Sequence, residues 1–160
     1  MAIIEGAQDA PGRHFAIVVS RFNDFVTERL LTGAREGLAA AGVDEADVTI
    51  VRVPGAYEIP MAAQRAAETG RFAGIVCLGC LIRGATPHFE YISSSVAHGL
   101  QDAAAATGVP VSFGVLTTNS AEEALERAVP GPTNKGWEAA LAAVEMATLF
   151  ARLDAGSERA

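Results

Sequence analysis

The segment Ile82-Arg83-Gly84-Ala85-Thr86-Pro87-His88-Phe89 combines residue types that suit proton transfer beside a bound anion. Thr86 suits the N-cap of a helix and Pro87 its first turn. Gly84 lets the backbone approach a ligand closely. The free N–H groups at such a helix start form an anion site. His88 then falls in the first helical turn, where the positive end of the dipole predicts a mostly neutral ring near neutral pH. A neutral imidazole beside a substrate can relay protons. The spacing leaves a second reading open, a surface histidine in a first turn.

Other side chains are placed suggestively. Phe22 lies just past an apolar run, where an exposed aromatic could stack on a planar ring or pack at the edge of the core. Glu58 sits in a predicted helix first turn, which the dipole alone accounts for; accepting hydroxyl groups is the lesser reading. Arg127 lies in the last turn of a predicted helix, where a cation suits the dipole and a guanidinium could also hold phosphate. Lys135 is the only lysine. Asn134 reads as an N-cap, so Lys135 stands at the unfavourable positive end of a helix. That placement calls for a negatively charged neighbour or ligand, and Glu138, one turn on, fits the neighbour.

Several motifs lead nowhere. Cys77 and Cys80 form C-x-x-C, but inside an apolar run rather than at a strand-to-helix turn, so they read as small buried side chains. Zinc would need further ligands, and only His14, His88 and His98 exist; no metal is expected. Gly79 to Thr86 spans two glycines like a P-loop, but Ala85 replaces the lysine. No G-x-G-x-x-G follows the first strand. Ser93-Ser94-Ser95 reads as helix surface, and Trp137 and Phe150 as core or interface.

The elements that must position these residues alternate. Strands are predicted over His14–Ser20, Val48–Val53, Phe72–Leu81 and Val111–Leu116. Helices are predicted over Asp24–Ala41, Ala56–Thr69, Pro87–Thr107, Ser120–Ala128 and Asn134–Leu153, with Gly42, Gly70 and Gly108 as stops. Residues 1–12 read as an extended arm, and Asp154–Ala160 as a frayed tail. Apolar strands between helices imply an α/β fold: a three-layer α/β/α sandwich on a four-stranded, mainly parallel, flavodoxin-like sheet. Ligands bind such sheets beyond the carboxyl ends of the strands, which gathers Phe22, Glu58, the 82–89 segment and Thr117-Thr118-Asn119 at one rim.

With 160 residues the chain has the size of one domain, and with half its residues apolar it invites burial between subunits. A net charge of −7 disfavours nucleic-acid binding. No stretch reads as membrane-spanning and no signal peptide is visible, so the cytoplasm is the expected compartment.

Taken in order, Arg21-Phe22-Asn23, Val53 to Pro60, Gly79 to Phe89, Pro110 to Thr117 and Asn134 to Ala140 resemble the 6,7-dimethyl-8-ribityllumazine synthase family. The resemblance implies condensation of 5-amino-6-(D-ribitylamino)uracil with 3,4-dihydroxy-2-butanone 4-phosphate, a step of riboflavin biosynthesis, with no cofactor. It implies that Phe22 stacks on the pyrimidine, that Ala56, Tyr57 and Glu58 hold ring and ribityl chain, and that Cys80, Leu81 and Ile82 line the ring pocket. Ala85, Thr86 and Arg127 would hold phosphate, and His88 would donate and accept protons. Phe113 would reach into a neighbouring subunit's site, with Lys135 and Glu138 supporting it. The resemblance further implies a homopentamer, in some members a sixty-subunit icosahedral shell, and riboflavin synthase as a conceivable partner.

One segment departs from the family. Ala128-Val-Pro-Gly-Pro-Thr133 lacks the lysine of the usual Gly-Thr-Lys-type turn, so a second basic contact to phosphate does not carry over from it. Three rivals stay open on the residues alone: a riboflavin synthase of the related archaeal type, a storage assembly with an idle site, and a flavodoxin-like flavin carrier.

Overall fold

The computed structural model describes residues 1–157. Four strands, β1 (Phe15–Ser20), β2 (Val48–Val53), β3 (Gly74–Ile82) and β4 (Val111–Thr118), form one sheet. Its order is β2-β1-β3-β4 and every pairing is parallel, so the mainly parallel expectation sharpens to all-parallel. Five α-helices are described: α1 (Asp24–Ala40), α2 (Ile59–Glu68), α3 (His88–Thr107), α4 (Ala121–Glu126) and α5 (Lys135–Ser157). α1 and α5 cover one face; α2 and α3 cover the other.

The strands read as unbroken apolar runs because both faces are buried. Along β1, Phe15, Ile17 and Val19 enter the core beneath α1 and α5. Ala16 and Val18 enter the core beneath α2 and α3. This alternation follows from the two-residue period of a strand. Fully burying a side chain such as Ile17 or Leu78 contributes about 1.5–3 kcal/mol.

The same period disposes of the C-x-x-C pair. Cys77 faces one core and Cys80 the other, and both are free thiols. Three residues along a strand span about 10 Å, beyond disulfide reach.

Several boundaries move. The Ala56–Thr69 helix divides into a 3-10 turn, Ala56–Glu58, and α2, so Glu58 becomes the capping residue of α2. Strand β4 runs on to Thr118 because its register with β3 continues through Ile82↔Thr118. The last helix continues through Asp154 to Ser157, since no proline interrupts it; of the expected frayed tail, residues 158–160 lie outside the described residues.

Residues 1–12 contain no helix or strand. Ala7 pairs through both backbone groups with the Thr148 hydroxyl of α5, at 2.7 and 2.9 Å. The Ala10 N–H donates to the Ala41 carbonyl at 2.9 Å. Among the described residues no helix is long and apolar enough to cross a membrane.

Candidate active site

The strand order reverses between β1 and β3, so the loops leaving these strands part and leave a crevice. A cleft of about 590 Å³ opens there. Phe22, Ala56, Tyr57, Glu58, Leu81, Ile82, Thr86 and His88 all line it, although they come from three separate stretches of chain. Phe22 is 69% exposed, which removes the core-edge reading of this ring.

His88 is the first residue of α3 and is exposed. Thr86 is not the N-cap. Pro87 holds that position with no side-chain cap, because its carbonyl accepts the first helical bonds, from Glu90 at 3.1 Å and Tyr91 at 3.3 Å. The N–H groups of His88 and Phe89 therefore have no acceptor inside the helix, as an anion site requires. A Cβ on Gly84 would meet only open space, so the backbone there is accessible from the cleft it lines. The Glu58 carboxylate lies over Gly55, where an added Cβ would stand 3.3 Å from Oε2.

Among the described residues no lysine or arginine lines this cleft. The basic residues line a second cleft, of about 400 Å³, between the edge strand β4 and α5. Phe113, Arg127, Lys135 and Glu138 meet there. Phe113 is 54% exposed. Arg127 caps α4 by donating to the Glu123 carbonyl at 2.9 Å, the dipole role. Lys135 is an N-terminal residue of α5 and its Nζ lies 2.7 Å from Glu138 Oε2, which is the anticipated neighbour. Asn134 caps that helix, its Oδ1 accepting from Gly136 N–H at 2.8 Å. A third groove, about 540 Å³ between α1 and β2, is bridged by an Arg35–Glu45 ion pair and holds no such set. No cluster of three potential metal ligands occurs among the described residues.

The model of the 6,7-dimethyl-8-ribityllumazine synthase family matches residues 12–151. A protein of that name from Syntrophus aciditrophicus (strain SB) is 49% identical over 151 residues, covering 94% of this chain and 98% of the relative. The chain belongs to the 6,7-dimethyl-8-ribityllumazine synthase family.

Within this lumazine synthase fold two residues expected at the ring or phosphate line neither cleft. Cys80 is buried, with its side chain in the α1–α5 core. Ala85 is exposed on the loop after β3. Two residues were named in the sequence only as members of their segments and given no role. Arg83 clamps the loop carrying Thr86 and His88. Its guanidinium stacks 4.5 Å from the Phe89 ring centroid, pairs with Glu90, and donates through Nε to Asn119 Oδ1 at 2.9 Å. Asn23 takes a left-handed conformation, φ 62° and ψ 43°, and lines the first cleft. Its only signal was type, since asparagine tolerates that conformation after a strand.

Proposed function

We propose that this chain condenses 5-amino-6-(D-ribitylamino)uracil with 3,4-dihydroxy-2-butanone 4-phosphate to 6,7-dimethyl-8-ribityllumazine, releasing phosphate and water. The observation that carries this reading is complementarity. One cleft has an aromatic wall, an imidazole and a helix start but no cation; the other has two cations and an exposed phenylalanine but no imidazole. A flat ring and a phosphate ester require both sets. We place the working site where the first cleft of one subunit meets the second cleft of its neighbour, in a homopentamer.

In that site Phe22 stacks on the pyrimidine, over a floor of Leu81 and Ile82 beside Cys80. Ala56 and Tyr57 offer backbone groups, and Glu58 accepts from ribityl hydroxyls. Ala85 and Thr86, on the loop that leads into α3, and Arg127 from the neighbour hold the phosphate, beside the free N–H groups of His88 and Phe89. Phe113 of the neighbour closes the ring pocket, and the Lys135–Glu138 pair supports it. His88 moves protons as the amine condenses with the ketone, phosphate leaves and the ring closes. Holding two reactants together supplies much of the acceleration. The pentamer is the basic unit, acting in the cytoplasm; sedimentation distinguishes it from a sixty-subunit shell.

The test supplies purified protein with both substrates and, separately, with the lumazine alone. Lumazine formation matched by phosphate release is the expected result. Turnover of the lumazine alone would reject the reading in favour of a riboflavin synthase.

A further inference from the structure

The exposed ring of Phe22 has little packing to hold it, so its position must come from its backbone. On the β2 side two bonds fix it: Arg21 N–H to the Val53 carbonyl at 2.9 Å and Phe22 N–H to the Pro54 carbonyl at 3.0 Å. On the β3 side stands one side chain. Asn23 Nδ2 donates to the Cys80 carbonyl at 2.9 Å.

That bond replaces a missing rung. Arg21 bonds towards β2, so by the alternation of a parallel ladder Phe22 would be the residue to bond towards β3. The register Val19↔Leu78, continued, sets Phe22 against the Cys80–Leu81 stretch. Phe22 instead peels off towards Pro54, and the Asn23 carboxamide takes the carbonyl it would have met. Asn23 is the only non-glycine residue with positive φ among those described. Its own carbonyl also accepts from Val26 at 3.0 Å and Thr27 at 3.1 Å, starting α1. A glycine would suit the backbone shape but has no side-chain carboxamide to donate.

We infer that Asn23 is a positioning residue: its carboxamide ties the Phe22 wall to the Leu81–Ile82 floor, holding the ring slot open at the width of a planar substrate. This rests on the ring-binding reading of the first cleft. Its effect runs through Phe22 and is confined to the ring substrate.

Asn23→Gly keeps the left-handed conformation and removes the donor; Asn23→Asp keeps the shape and faces the carbonyl with a carboxylate. Each is compared with Phe22→Ala and with the Asn23→Gly/Phe22→Ala double variant, after thermal melts establish folding. In the condensation assay Asn23→Gly should raise KM for the pyrimidine about 10-fold. KM for the butanone phosphate and kcat should stay within about twofold, and the double variant should be no worse than Phe22→Ala alone. Additive losses, equal increases in both KM values, or no change would overturn the inference. If Asn23→Gly does not fold, Asn23→Asp decides by the same criteria. Fluorescence titration with the ribitylaminopyrimidine separates the two claims: ring binding weakened in the variants without turnover by the parent would keep the Asn23 role and reject the condensation.

Discussion

The carboxamide of Asn134 fills the space that a side chain on Gly33 would need. Asn134 is 1% exposed, and its Nδ2 donates to the Arg29 carbonyl at 3.2 Å and the Val129 carbonyl at 3.0 Å. One buried side chain therefore joins α1, the turn after Arg127 and the start of α5. Gly33→Ala would collide with this clamp, and Asn134→Ala would remove both of these bonds together with the cap on Gly136 N–H. Each should lower unfolding free energy by about 2–4 kcal/mol. Denaturant titration checks this, and an unchanged midpoint for both would contradict the clamp.

His88→Ala removes the one imidazole of the first cleft. It should lower kcat by about 10²–10⁴-fold while leaving both KM values within a few-fold. An unchanged kcat would sink the proton-transfer role. Arg127→Ala should instead raise KM for the phosphate ester, by about 10-fold or more.

Because His88 and Arg127 line different clefts, mixed assemblies can test where the site lies. Co-expressed His88→Ala and Arg127→Ala subunits place an intact first cleft beside an intact second cleft in about a quarter of contacts under random mixing in a closed ring. Activity near that fraction of the parent is expected, although each variant alone is weak. No recovery would show that the working site does not cross a subunit boundary.

The two thiols give a pH dependence with a definite sign. Burial raises Cys80 to about 11 and Cys77 further still. An unfolded thiol ionises near about 8.5, so above that pH the unfolded chain releases protons that the folded chain keeps. This contribution to stability is full below that pH and is lost as the pH climbs towards about 11. The urea midpoint should fall between about pH 8 and pH 10, and at pH 8 both thiols should resist Ellman's reagent until denaturant is added. Rapid labelling of the folded protein would contradict their burial.

Much of the fold is legible because its causes are local. The apolar runs of β1 and β3 follow from sheet faces covered on both sides, and the stops at Gly42 and Gly108 follow from left-handed backbone, φ 78° and 69°. Lys135 and Glu138 are one turn apart on any helix, so their pairing needed no fold. Even the meeting of Phe22, Glu58 and His88 follows once the strands are taken as parallel, because each stands past a carboxyl end.

Other features depended on paths that no local pattern encodes. The start of α3 shifts when one carbonyl, that of Pro87 rather than Thr86, accepts the first helical bond. Asn23 finds Cys80, 57 residues away, only because β1 and β3 are neighbours and Phe22 leaves the ladder where it does. Arg127 and His88 part company because β4 is an edge strand, so residues beyond it open away from the crevice between β1 and β3. Sequence periodicity determined which side chains are buried and which strand ends carry chemistry. Strand order and register, set by packing between distant segments, decided which of them meet.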